Sequence, residues 1–333
     1  MEYSQTDGLP RISGYILKRP SAKSKGLVCL RLDRPGEPYP REMIAALKRD
    51  WHFFWFSVWN TCHERIAYHD LIDIFVTWDE HAEEIRKSGR TDCIVLRGGS
   101  ETYERHDELF YPIPNTKCDI DLLYVARFTP LKRADMALAC VHFVAQRKSD
   151  CRAVFLESLG SDLATRKWIR EERKALGLEN NLQLMSVPLE AVNSYMNRAR
   201  LSLFTSDEEG LCRATLQTLL AERPLLCHKH TRALTRNIFD DRYFHYYEEQ
   251  TEESIGNAAW DILNRPAASN RGARDYLLKE KGFVFYDLPE WQEKIIAAAA
   301  PLYERDGQHL DRRDIVPAND ATRFVLWRPF RLE

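Results

Sequence analysis

Between Asp121 and Glu248, short apolar runs alternate with amphipathic helical patterns, and this alternation limits the fold more than any other feature of the chain. The runs "DLLYVARF" (121–128), "AVFLES" (153–158), "LQLMSV" (182–187), "LSLFTS" (201–206) and "PLLCHK" (224–229) read as strands, with "YFHYYE" (243–248) as a sixth. Helical patterns fill the intervals at 132–148, 161–177, 189–199 and 211–222. Strand–helix–strand alternation predicts a parallel sheet covered on both faces.

A less regular series precedes it. "GLVCLRL" (26–32), "HFFWFSVW" (52–59), "LIDIFVTW" (71–78) and "DCIVLRG" (92–98) read as strands, and 40–50 and 79–89 as helices. Asp79 is expected to cap the second helix and Gly89 to end it. Residues 1–25, with Gly8, Pro10, Gly14 and Pro20, read as irregular. "YPIPNTKCDID" (111–121) reads as a linker stiffened by Pro112 and Pro114. The 333 residues thus divide into two α/β units of Rossmann-like pattern, a short one over 1–115 and a regular one over 116–288, with a C-terminal segment over 289–333.

Charge is balanced, with 48 basic and 50 acidic residues and a net charge of -2. That balance argues against bulk electrostatic binding of nucleic acid or an anionic membrane. Nucleic acid is not expected as a partner, and peripheral membrane contact is left without support. Eight cysteines are scattered singly, without a C-x-x-C pair. They read as buried free thiols of a reducing compartment. No apolar run is long enough to span a bilayer and no signal core opens the chain, so a cytoplasmic location is expected. Zinc-type spacings, a G-x-S-x-G elbow and a phosphate-binding P-loop are all missing from the sequence. "CHKH" (227–230) and "RGGS" (97–100) read as strand ends and loops rather than metal or anion sites, and no metal is expected.

In open parallel sheets, ligands bind beyond the carboxyl ends of the strands. Two stretches there carry chemistry. In "VARFTPLKRADMAL", Arg127 ends a strand and Lys132 stands where the next helix starts; together they suit a diphosphate. From their local surroundings alone, a pair of solvated surface charges is the better reading, since both residue types are common at element ends. In "TSDEEGLCRATLQTLL", an acidic turn leads into a helix. Asp207 and Glu208 read as acids at a helix start, interacting with its dipole. Glu209 differs because Gly210 follows, letting a ligand approach the backbone. Its carboxylate suits a neutral polyol, while the amides of Gly210, Leu211 and Cys212 suit phosphate or sugar oxygens.

Taken in order, "VARFTPLK", "LQLMSVPLEAVNSYMNRA" and "RARLSLFTSDEEGLCRATLQTLLAERPLL" resemble the donor-binding half of family 4 glycosyltransferases, over roughly residues 118 to 265. The resemblance implies the GT-B fold, with two Rossmann-like domains facing across a cleft and the C-terminal segment packing back on the first. Residues 1–115 then become an acceptor domain and 116–288 a donor domain. Arg127 and Lys132 are implied to hold the diphosphate of a nucleotide sugar and to stabilise the leaving phosphate. Glu209 is implied to bind hydroxyls of the transferred sugar, and Gly210, Leu211 and Cys212 to offer backbone amides. Gln217 stands where the family has a second acid for the ribose. The N-terminal half is short, and "CLRLDRPGEPYPREM" holds only Gly36 where relatives have a glycine-rich loop. Where relatives carry a histidine, Asn60 and His63 are the candidates, although His63 and His69 read better as ordinary polar residues. The implied activity is hexosyl transfer from a nucleotide diphosphate sugar to a carbohydrate or other small acceptor. Retention of configuration is implied, with neither cofactor nor metal. The rivals are a non-catalytic GT-B-like nucleotide-sugar-binding or partner protein, a DNA-base glucosyltransferase and, more weakly, an epimerase.

Overall fold

A computed structural model describes residues 14–30, 41–56, 70–77, 79–98, 105–158, 160–209, 213–233, 236–265, 270–311, 313, 315 and 316. The chain divides into two compact units, Met1–Glu104 with Tyr286–Glu333, and Arg105–Phe285.

The first unit is built on a five-stranded sheet in sequential order: β1 (Gly14–Lys18), β2 (Gly26–Leu30), β3 (Trp51–Phe56), β4 (Ile74–Thr77) and β5 (Ile94–Arg97). β2 to β5 run parallel; helix α1 (Arg41–Leu47) stands between β2 and β3, and α2 (Asp79–Lys87) between β4 and β5. Alternation along the strands sorts their side chains between two faces. Leu27, Cys29, Phe54, Ile74 and Val76 enter one core, and Val28, Phe53, Trp55 and Phe75 the other. Ile44 of α1 and Ile85 of α2 cover the second face. Trp291, Ile295, Ala299, Leu302 and Tyr303 of the C-terminal helix Leu288–Arg305 cover the first. That helix opens on a capping box: Glu290 N donates to Asp287 Oδ1 at 2.8 Å and Asp287 N to Glu290 Oε2 at 2.9 Å.

Two local expectations change. Gly14–Lys18 was expected to be irregular, yet it forms an edge strand antiparallel to β2. Leu17 on it is buried, and the equally buried Lys18 amine donates to Ser24 Oγ at 2.8 Å and to the Lys25 carbonyl at 2.9 Å. Asp79 is the first residue of α2 rather than its cap. Gly89, at φ +77°, turns the chain after the helix as expected.

The second unit carries β6 (Ile120–Ala126), β7 (Ala153–Glu157), β8 (Leu182–Met185), β9 (Ala199–Phe204), β10 (Leu225–His228) and β11 (Phe244–Tyr247). Their order across the sheet is β8-β7-β6-β9-β10-β11, with every adjacent pair parallel. Helices α3 (Ala134–Arg147), α4 (Leu163–Ala175), α5 (Leu189–Arg198), α6 (Arg213–Leu220) and α7 (Glu252–Leu263) lie between and after the strands. The core joins Leu122, Phe155, Leu201 and Leu203 of the sheet to Val141 and Val144 of α3, Ile169 of α4, and Ile255 and Ala259 of α7. The strand order reverses between β6 and β9, which makes the crevice beyond their carboxyl ends the topological switch point.

The proline-rich stretch before β6 has no helix or strand over 111–118, but it is held within the second unit. Two buried asparagines of α5 grip its backbone. Tyr111 N donates to Asn193 Oδ1 at 3.3 Å, Ile113 N to Asn197 Oδ1 at 2.7 Å, and Asn197 Nδ2 to the Tyr111 carbonyl at 3.0 Å. The division between the units falls ahead of this stretch, between Glu104 and Arg105.

Candidate functional site

The switch point is built from two chain reversals. After β6 comes Arg127, half-buried, with its side chain running past Gly160. A Cβ on Gly160 would lie 3.5 Å from Arg127 Cδ, and Gly160 itself takes φ +84°. Glycine therefore suits both the turn and the neighbouring guanidinium. Pro130–Lys132 then makes one 3-10 turn, and Arg133, at φ 50° and ψ 52°, swings the chain into α3.

The second reversal follows β9. Thr205, 1% exposed, directs its hydroxyl at two successive carbonyls, Lys132 O at 2.8 Å and Arg133 O at 2.9 Å. Tyr124 of β6 also donates to Lys132 O, at 2.7 Å. The turn after β6 is thereby stitched to the end of β9 across the switch point.

Next comes the acidic turn. Glu208–Glu209 pairs in parallel with Arg232–Ala233 as a two-residue ladder, so successive side chains point to opposite faces. Glu208 forms an ion pair with Arg232. Glu209 forms one with Lys132, the two side chains being 9% and 14% exposed. Asp207 accepts from Arg133 Nη1 at 3.1 Å and from Gln250 Nε2 at 2.5 Å. Where acids at a helix start were expected for Asp207 and Glu208, the structure shows ion pairs with cations distant in sequence. Asp135 and Asp207 together hold the Arg133 guanidinium above its ordinary proton affinity. A buried carboxylate beside a half-buried ammonium offers an acceptor for hydroxyls and a donor for an anion in one place.

Lys132 and Glu209 are thus brought together, and Arg127 stands at the end of the strand that leads to Lys132. Gln217 lies on α6, buried at 5% exposure. Gly210, Leu211 and Cys212 fall outside the described residues, as do Asn60, His63 and His69. His228 ends β10 with its ring 5.5 Å from His230 and 5.2 Å from Tyr247, and burial lowers its proton affinity. Among the described residues, no group of three or more His, Cys, Asp or Glu is placed to hold a metal ion, and no helix is long and apolar enough to cross a membrane. The described cysteines, Cys29, Cys93, Cys118, Cys140, Cys151 and Cys227, are free thiols.

The sequence reading missed Thr205, Arg133, Arg232 and Gln250. Thr205 was legible only as a strand end, and the other three carry no pattern that separates them from surface residues.

No protein-family model matches the chain, and no curated protein matches it in sequence. Solved structures do. The fold they define is GT-B, an α/β architecture with parallel sheets found in glycosyltransferases. The chain is similar to TarM from S. aureus, solved with fondaparinux, alpha-GlcNAc-glycerol and UDP, at 13% identity and a TM-score of 0.57, covering 76% of this chain and 51% of TarM. It is similar to sucrose-phosphate synthase from Thermosynechococcus elongatus at 14% identity and a TM-score of 0.58, covering 77% of this chain and 68% of that one. Anabaena HepE, solved with UDP and glucose, matches at 12% identity and a TM-score of 0.57, covering 78% of this chain and 75% of HepE. The chain thus spans about half the length of TarM.

Proposed function

We propose that this protein is a glycosyltransferase that moves a sugar from a nucleotide diphosphate sugar to a carbohydrate or other small acceptor. The observation that carries this reading is the Lys132–Glu209 pair at the switch point of a GT-B sheet. Arg127 and Lys132 receive the diphosphate and stabilise it as it leaves. Glu209 accepts hydrogen bonds from hydroxyls of the transferred sugar. Preorganised cations at the leaving group supply the catalytic stabilisation, and holding donor and acceptor together supplies the rest. The transfer proceeds with retention, without metal or cofactor, in the cytoplasm. UDP, which is bound in the TarM and HepE structures, is the first nucleotide to test.

Calorimetric titration of UDP and UDP-glucose into the wild type and Arg127→Ala tests the reading. Saturable binding, weakened at least tenfold by the substitution, supports it. A folded protein that binds no nucleoside diphosphate and no sugar conjugate overturns it.

A non-catalytic, nucleotide-sugar-binding role is the second reading. It is favoured by Gln217, a neutral amide where a carboxylate would accept the stronger bonds from ribose hydroxyls. Turnover of donor with any acceptor would rule it out.

A further inference from the structure

We infer that Arg133 is a positioning residue, which clamps the acidic turn Asp207–Glu209 in register with Lys132 and so aims Glu209 at the donor sugar. The inference rests on the proposed function for its consequence, but the clamp itself is visible without any ligand.

The first observation is the backbone. Arg133 lies at φ 50° and ψ 52°, a left-handed conformation that crowds any Cβ and belongs ordinarily to glycine. Among the described residues only Asn115 and Glu222 share positive φ without being glycine. Such a conformation persists when its surroundings over-determine it, and it is a pointer to function when it occurs at a site.

The second observation is what the side chain does from there. Its Nη1 donates to Asp207 Oδ1 at 3.1 Å and Oδ2 at 3.2 Å, and its Nε to Asp135 Oδ1 at 3.0 Å. Gln250, just before α7, closes the group: it donates to Asp207 and accepts from Arg133. A glycine would satisfy the backbone and lose each of these bonds except the one from Gln250 to Asp207.

The third observation is spacing. Lys132 and Arg133 are consecutive, and their partners Glu209 and Asp207 are two residues apart, Asp207 at the bend that enters the two-residue strand Glu208–Glu209. Two adjacent cations thus engage the two carboxylates on either side of Glu208. Glu208 faces the other way, to Arg232. Removing the Arg133 rung leaves the Glu209 side chain with Lys132, a group that the donor diphosphate must recruit, and the turn with its ladder to Arg232–Ala233 and the bond from Gln250. Arg133 therefore supplies, beside that ladder, a side-chain hold on the turn that survives when Lys132 turns to the phosphate.

Hydrogen–deuterium exchange over 205–209, in the full chain without ligand, tests the clamp. Arg133→Gly, which relieves the backbone, and Asp207→Asn, which leaves the φ of residue 133 alone, should each speed exchange there about tenfold at a melting temperature within a few degrees of wild type. The double variant should exchange no faster than either single, since both remove one interaction. Unchanged exchange in both single variants overturns the clamp. Calorimetry then compares UDP with UDP-glucose. Arg133→Gly should abolish the gain in affinity that the sugar supplies while leaving UDP affinity within about threefold. A sugar gain equal to wild type, with the loop loosened, overturns the aiming of Glu209. If wild type binds neither probe, the glycosyltransferase reading fails along with the aiming of Glu209 at a sugar, and exchange alone still decides whether Arg133 clamps the loop.

Discussion

Lys132 and Glu209, 77 positions apart in sequence, meet as a largely buried ion pair at the carboxyl ends of two adjacent parallel strands. Each offsets the other's desolvation, so neither is neutral to remove.

Lys132→Ala leaves a buried carboxylate without its counter-charge, which should cost about 3 kcal/mol of folding stability. Glu209→Ala should cost a similar amount from the other side. The double variant should lose less than the sum of the two, and urea unfolding of all four proteins measures the difference. Strict additivity would mean that the pair contributes nothing as a pair.

Gln217→Glu should tighten UDP binding roughly three- to tenfold if the residue faces the ribose, because a carboxylate accepts stronger hydrogen bonds than an amide. Calorimetry at neutral pH reads this directly. A large loss of affinity would place the ribose elsewhere.

His106 sets a pH dependence in the second unit. Burial first, then the charge of Arg213, pushes its imidazole from 6.5 down to about 4; Phe110 and Phe285 flank the ring at 5.6 Å and 5.8 Å. The folded value lies below the unfolded one, so protonation favours the unfolded chain. The contribution to stability is complete above 6.5, falls as pH drops toward about 4, and levels off below that. Its slope reaches at most about 1.4 kcal/mol per pH unit. Denaturant titrations at pH 7, 6 and 5 should show the decline, and His106→Phe should flatten it.

Gly256→Ala decides between two opposed effects on α7. Helix propensity favours alanine by about 1 kcal/mol, whereas forcing a methyl into a filled core costs about 1–3 kcal/mol. The new Cβ would stand 2.2 Å from Phe143 Cγ, and the Arg147 guanidinium lies 3.4 Å above that ring. The ring has little room to retreat, so the variant should melt lower by scanning calorimetry. A higher melting temperature would show that α3 and α7 yield.

The strands β6 to β11 were legible because apolar runs flanked by helical periods admit few other readings, and a site beyond their carboxyl ends followed from the expected parallel sheet; the strand order that places the switch point is a tertiary fact. Arg127, Lys132 and Glu209 stood out as charges at strand ends. The pairings were not legible. Glu208 meets Arg232, and Asp207 meets Arg133 across 74 positions, and contacts of that kind leave no periodic trace. The left-handed turn at Arg133 was hidden for a related reason. Its usual signal is glycine, and here an arginine holds the position through its side chain. β1 escaped notice because "GYILK" lies between Gly14 and Pro20 in a basic stretch, and its pairing with β2 is a tertiary fact. Asn193 and Asn197, on a helix whose sequence singles out neither, anchor the backbone of the proline-rich stretch.

The sheet of the first unit is covered on one face by a helix from the other end of the chain. On the ribosome, where domains generally fold as they emerge, this sheet is made first and completed last. Its apolar face must wait, unshielded, through the synthesis of Arg105–Phe285 until Trp291 and its neighbours arrive. The second unit, continuous in sequence, has no such delay. A released chain truncated before Tyr286 should therefore carry a finished second unit and a first unit with one apolar face of its sheet left bare.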